Sequence, residues 1–534
     1  MRRAIAFLAA LAALGAAQAV PTDPVPTDPV PTDPVPTDPV RIDSGSVAGS
    51  LQGAIRAYKG IPYAAPPVGA LRWRPPQPAL HWPGTRNAAL PGPACPQMGP
   101  PGRDILKIGG APEPTSEDCL TLNIWTPGAA KKAPVMVWIH GGSGRFGSGS
   151  LPYYDGTSFA RDGIVLVTIN YRLGNLGGFA HPALTRSAPK DEPLVQYAVM
   201  DQIAALEWVR RNIAAFGGDP HNVTLFGESA GALSTLVLMT SERASGLFNK
   251  AIVESGGGWF PPSTLADAEK CGVEVASKLG LPGAQATPAQ LRALSVKQLN
   301  DVGQVCSAMV DDRLFRDQTT IAFAAGRAAD IPLIIGVNSG EDSLLDMTGG
   351  IEKAKASLLT GEQGKSAREL YGPAMDDETL VRSMFRDSLL VAPARWLAAL
   401  SWRAQPTYLY YFDYVDEAQR PVRQRAPHGS DVFHVFETFD ARPDGEPPAT
   451  RADRAMGALM HACWVGFAKT GHPVCTGADT WPPYTRDADS WMVFNARGAH
   501  VEPIPNASRL DKIEGRIRWA LWLGRIKAAL DRWF

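Results

Sequence analysis

One stretch constrains the fold of this chain more than any other: Val223-Thr224-Leu225-Phe226-Gly227-Glu228-Ser229-Ala230-Gly231-Ala232-Leu233-Ser234-Thr235-Leu236. Its first residues are apolar and β-prone, its last favour a helix, and Gly-x-Ser-x-Gly joins them. A strand that turns into a helix within so few residues must strain the backbone at Ser229, and only small residues at Gly227 and Gly231 let the neighbouring backbones pass. The turn then presents the Ser229 hydroxyl at the start of the helix.

The surrounding sequence supplies a sheet for that strand. Pro134-Val135-Met136-Val137-Trp138-Ile139 and Ile164-Val165-Leu166-Val167-Thr168-Ile169 are unbroken apolar runs, as expected of strands buried on both faces. Between the second run and Val223, Ala198 to Phe216 has the apolar spacing of an amphipathic helix. Further strands are predicted at Lys250 to Glu254, Pro332 to Val337 and Thr407 to Phe412, with helices at Thr287 to Val302, Asp376 to Leu390 and Asp453 to Lys469. This alternation predicts an α/β fold whose large, mainly parallel sheet is covered by helices on both faces. No repeat or polar linker interrupts residues 41–534, which are expected to form a single catalytic domain.

The N-terminus differs. Met1-Arg2-Arg3, the apolar stretch Ala4 to Ala17 and the triplet Ala17-Gln18-Ala19 predict a signal peptide over residues 1–19 and export to a periplasmic or extracellular space. Residues 21–40 are four copies of Pro-Thr-Asp-Pro-Val, so a disordered, extended linker is predicted over 20–40. No later run reaches the roughly 18 apolar residues of a membrane span. Lys plus Arg number 52 against 53 Asp plus Glu, and a net charge of -1 gives no global field favouring nucleic acid or an anionic membrane. The stretch Ile517 to Lys527 has a basic amphipathic pattern and is read as a terminal helix docked on the domain rather than a membrane-surface helix. Cys271 with Cys306 and Cys463 with Cys475 are neighbouring couples whose pairing closes loops of moderate length. None of the cysteines has zinc-ligand spacing, and no metal is expected.

A serine hydroxyl attacks a carbonyl only if an imidazole takes its proton and a carboxylate orients that imidazole. His428 lies in Ala426-Pro427-His428-Gly429-Ser430-Asp431, a loop suited to that base, whereas His461 lies inside a predicted helix. Glu341 and Asp342 both follow the strand ending at Val337, and position alone allows either to be the acid. Gly142-Ser143-Gly144-Arg145-Phe146-Gly147 formally matches a dinucleotide fingerprint, but the residues after it start a helix poorly. The rival reading is an oxyanion hole in which the N–H groups of Gly142 and Ser143 join that of Ala230.

Taken together these residues resemble the type-B carboxylesterase/lipase family of the α/β-hydrolase fold, which includes bacterial para-nitrobenzyl esterases, fungal lipases and cholinesterases. The resemblance rests on Phe216-Gly217-Gly218-Asp219-Pro220 followed by Asn222 to Gly231, and on Glu117-Asp118-Cys119-Leu120-Thr121-Leu122-Asn123-Ile124-Trp125-Thr126-Pro127. It implies a serine carboxylesterase acting through an acyl-enzyme on Ser229, with His428 as base and no cofactor. The segment Gly336-Val337-Asn338-Ser339-Gly340-Glu341 resembles the one that holds the family's acid and selects Glu341 over Asp342. The resemblance also pairs Cys95 with Cys119 and places Ser255, with Glu228 inside the elbow, as supports of the triad.

Two departures bear on substrate. Pro96 to Asp118 contains no aromatic residue, so a choline ester lacks the ring that binds its cation. The oxyanion loop His140-Gly141-Gly142-Ser143-Gly144 is followed by Arg145, which either binds a carboxylate on the acid part of the ester, as would suit relatives that hydrolyse tricarballylate esters of fumonisin-type mycotoxins, or is exposed to solvent or paired with a local carboxylate. The expected partner is a small-molecule ester; a general aryl or alkyl esterase, a lipase and a non-catalytic binding relative are the alternatives. Oligomeric state is left open.

Overall fold

In the computed structural model, which describes residues 36–530 apart from 100–103, 113, 259–263, 308–309, 312, 316, 402 and 444, the apolar runs become the interior of one large sheet. Its eleven strands run from Gly498–Pro503 at one edge through Ser490–Asn495, Thr407–Phe412, Leu333–Asn338, Lys250–Glu254, Gly218–Glu228, Ala133–Ile139, Val165–Ile169, Thr121–Pro127 and Ile55–Pro62 to Ser50–Gln52. The strands from Ser490–Asn495 to Val165–Ile169 are parallel to their neighbours, and the pairings beyond them at both edges are antiparallel.

Because successive side chains of a strand point to opposite faces, each central strand feeds two cores. Val135, Val137, Val165, Val167, Leu225 and Val253 pack on one face with the helices Tyr197–Asn212, Ala230–Met239 and Ala392–Ser401. Met136, Trp138, Leu166, Phe226 and Ile252 pack on the other, under the helix Arg451–Thr470, whose Met460, Trp464 and Phe467 are fully buried. This is an α/β-hydrolase architecture with the parallel strands at its centre.

Some expectations change. The stretch Thr287 to Val302 is two helices, Pro288–Arg292 and Val296–Asp301, because Ser295 caps the second: its Oγ accepts from the Gln298 N–H, and Gln298 Oε1 accepts from the Ser295 N–H. The helix beginning at Asp377 does not stop at Leu390 but passes through a π turn at Asp387–Val391 into Ala392–Ser401. Residues 1–19 and the first three repeat copies lie outside the described residues. The last copy, part of the expected linker, is folded: Thr37 is buried, its N–H donates to the Gly49 carbonyl at 3.1 Å, and its Oγ1 accepts from the Gly49 N–H at 2.8 Å.

The disulfides Cys95–Cys119, Cys271–Cys306 and Cys463–Cys475 join the three neighbouring couples. The C-terminal helix, Ala507–Leu530, is anchored through Leu510, Ile513 and Glu514, all buried. Among the described residues, no helix is long and apolar enough to cross a membrane.

Candidate active site

Ser229 sits where the strand Gly218–Glu228 meets the helix Ala230–Met239, at φ 54° and ψ -119°, a backbone conformation that L-residues rarely adopt. Its N–H donates to the Glu254 carbonyl of the adjacent strand at 2.9 Å. The flanking glycines are obligatory, since a Cβ on Gly231 would lie 1.9 Å from the Ile139 carbonyl oxygen and one on Gly227 would lie 2.6 Å from the same atom.

The acid and the base come from the loops after two neighbouring strands. Glu341 is fully buried, and one of its carboxylate oxygens accepts from Ser255 Oγ at 2.5 Å and from the Asn338 N–H at 2.8 Å. The other stands 2.5 Å from His428 Nδ1. Asp342 instead accepts from Arg425 at 3.2 Å, so the geometry brings Glu341 and not Asp342 to the imidazole. The two loops are laced together: Gly340 N–H donates to Ala426 O, Asn338 Nδ2 donates to Pro427 O and to Asp431 Oδ1, and the His428 N–H donates to Ser343 Oγ. Asn338 and Asp431 are thus structural members of the site that sequence reasoning passed over, although both lie inside the segments it singled out.

The second imidazole nitrogen, Nε2, faces Glu228 Oε1 at 3.0 Å. Among the described residues, Ser229 Oγ makes no hydrogen bond to it; catalytic hydrogen bonds are often loose without substrate. Burial pushes the Glu228 carboxyl up to about 8, with the His428 charge acting in the opposite direction. Burial also works against a charged His428, but the carboxylates of Glu228 and Glu341 outweigh it and lift the imidazole to about 9.

The glycine-rich loop holds three consecutive residues at positive φ, Gly142 (96°), Ser143 (57°) and Gly144 (64°). It is pinned by the Gly174 N–H, which donates to the Gly144 carbonyl at 2.7 Å, and by His140 stacked on Tyr171, whose hydroxyl donates to the His140 carbonyl. The N–H groups of Gly142 and Ser143 have no acceptor among the described residues, and that of Ala230, first in its helix, has no intrahelical one. Gly142, Ser143, Ser229 and His428 line one cavity of about 260 Å³, walled by Tyr153, Phe146, Leu344, Met347, Val432 and Phe433. The loop does not open a helix, so the dinucleotide reading falls.

Arg145 is not brought to this cavity. Its guanidinium donates to the Gly303 carbonyl at 2.8 Å, and it is not among the residues that line the cavity. The cation that does line the cavity is Lys107, which sequence reasoning missed. A larger cleft of about 780 Å³ near Met239 and Pro332 contains none of the candidate catalytic residues.

Fold and site define an α/β hydrolase with a nucleophile elbow. The sequence pattern of the Carboxylesterase family matches residues 36–512, and the chain belongs to that family as a carboxylic ester hydrolase. It is 36% identical over 476 residues to fumonisin B1 esterase of Sphingopyxis macrogoltabida, covering 85% of this chain and 86% of that protein. It is 32% identical over 493 residues to para-nitrobenzyl esterase of Bacillus subtilis, covering 88% and 97%. A solved PNB esterase structure superposes with a TM-score of 0.77 at 30% identity, over 89% of this chain and 99% of that one.

Proposed function

We propose that the protein is an exported serine carboxylesterase that hydrolyses its ester in two acyl-transfer steps. His428 turns from Glu228 to Ser229 and takes its proton as Oγ adds to the ester carbonyl; the N–H groups of Gly142, Ser143 and Ala230 hold the negative oxygen that develops. Collapse expels the alcohol, which receives the proton from His428. Water, deprotonated by the same imidazole, then releases the acid and restores Ser229. Glu341 holds the imidazole in the required tautomer. The observation that carries this reading is the meeting of a strained Ser229, the Glu341–His428 couple and unsatisfied N–H donors around one cavity.

For the substrate, we propose an ester whose acid part bears carboxylates, such as a tricarballylate ester of the fumonisin type. Support comes from the similarity to fumonisin B1 esterase and from the presence of Lys107 among the residues that line the cavity. Export is supported by the composition of residues 1–19 and by the three disulfides. A fluorophosphonate probe is expected to label Ser229 covalently and to leave Ser229→Ala unlabelled; labelling that persists in the variant refutes the nucleophile. Equal turnover of neutral aryl or alkyl esters and carboxylate-bearing ones refutes the substrate class and makes the protein a general esterase.

A further inference from the structure

We infer that Lys107 reads the substrate's charge, its ammonium pairing with a carboxylate on the acid part of the ester while the ester carbonyl lies at Ser229. This rests on the proposed acyl-transfer site and its carboxylate-bearing substrate.

Lys107 lines the cavity that holds Ser229, Ser143 and His428, and its ammonium has no acceptor among the described residues. Other arginines of the site and its surroundings are already engaged, Arg423 with Glu446 at 3.8 Å among them. Arg382 is bound to Asp346 and Glu378, Arg425 to Asp342, and Arg442 to Asp416, while Arg145 spends a donor on the Gly303 carbonyl. A guanidinium paired with a carboxylate is already charge-compensated, and Arg145 lies outside the cavity lining; Lys107 gives up only water.

The backbone carrying Lys107 is fixed although its side chain is free. It belongs to the short turn Ile105–Ile108 inside the loop closed by Cys95–Cys119. Asp104 starts the turn, its carboxylate accepting from the Leu106 N–H and its carbonyl from the Lys107 N–H, and Tyr153 Oη donates to the Gly109 carbonyl at 3.3 Å. Tyr153 itself walls the cavity, so the turn is tied to the surface over which the acid part of an ester must lie.

Among the described residues, nothing else in the lining repels an anion at neutral pH. Glu228 is its one carboxyl group, and burial lifts that group to about 8. The apolar side chains of Leu344, Met347, Val432 and Phe433 cannot solvate a carboxylate, which leaves Lys107 as the cationic side chain of the described lining outside the catalytic couple that could select for one.

The test compares 4-nitrophenyl hemisuccinate with 4-nitrophenyl butyrate, esters of one leaving group and similar length that differ in the terminal carboxylate. The readout is the ratio of their kcat/KM values, in which any inactive fraction of enzyme cancels. The unsubstituted protein is expected to favour the hemisuccinate. Lys107→Ala is expected to lower the ratio about fivefold, the size of one solvent-facing ion pair, with Lys107→Glu lowering it further and Lys107→Arg keeping most of it. Added salt is expected to lower the ratio in the unsubstituted protein and not in Lys107→Ala. A preference that survives unchanged in Lys107→Ala overturns the assignment while leaving the substrate class standing. The absence of any preference in the unsubstituted protein overturns the substrate class itself.

Discussion

Replacing Glu228 by Gln removes a carboxylate 3.0 Å from His428 Nε2 and keeps the volume of the side chain. Both side chains are at least nine-tenths buried, so the interaction is weakly screened. At that separation two unit charges interact by about 1.4 kcal/mol even at the dielectric of water, and by several times more at an effective value near 20. The lower figure alone is about one pH unit. Glu228 and Glu341 hold the His428 pKa near 9, and catalysis needs the neutral imidazole, so kcat/KM rises as pH passes through that range. Glu228 titrates near 8 in contact with it, so the acid limb of the unsubstituted enzyme belongs to the pair. Without the carboxylate the imidazole loses its proton more easily, and the limb moves to lower pH. In Glu228→Gln a shift of at least about one unit is expected, read from kcat/KM of a neutral 4-nitrophenyl ester between roughly pH 5 and 10 at constant ionic strength. A limb that stays in place, or moves upward, refutes the argument that Glu228 sets the basicity of His428.

Two further expectations concern the frame. Gly231→Ala puts a methyl group 1.9 Å from the Ile139 carbonyl oxygen, a backbone atom that cannot rotate aside; overpacking of this kind costs about 1–3 kcal/mol or more, and a variant with undiminished esterase activity and melting temperature refutes the close approach. Arg395, 3% exposed, ties the helix Ala392–Ser401 to Asp489, Asp511 and the buried Glu514. Arg395→Met leaves Glu514 with Arg486 as its remaining partner and is expected to cost about 3 kcal/mol in urea unfolding; a loss under about 1 kcal/mol refutes the role of this cluster.

How far the site can be read from sequence depends on whether the backbone or the tertiary fold decides each residue. Ser229 is legible because the spacing of Gly227 and Gly231 is itself the geometric requirement of the turn, met here by contact with Ile139. His428 is legible from its loop. Glu341 and Asp342 are not separable by position, since adjacent loop residues point apart, one to His428 and the other to Arg425; the resemblance to the family separates them. The position of Arg145 is not legible, because it follows three positive-φ residues and its partner lies 158 positions away. Lys107 is invisible because lacking a partner is a property of the folded surroundings. In the fold, the apolar parallel strands stand out, whereas strands in antiparallel pairs such as Thr121–Pro127 and Gly498–Pro503 interleave polar with apolar residues and give a weaker signal.

The three disulfides join the first cysteine to the second, the third to the fourth and the fifth to the sixth, across 24, 35 and 12 residues. None encloses or interleaves another. An oxidant that couples each thiol to its predecessor as the chain emerges therefore reaches the native set directly, with no wrong bond to undo. The covalent assembly of this enzyme calls for an electron acceptor but not for an isomerase.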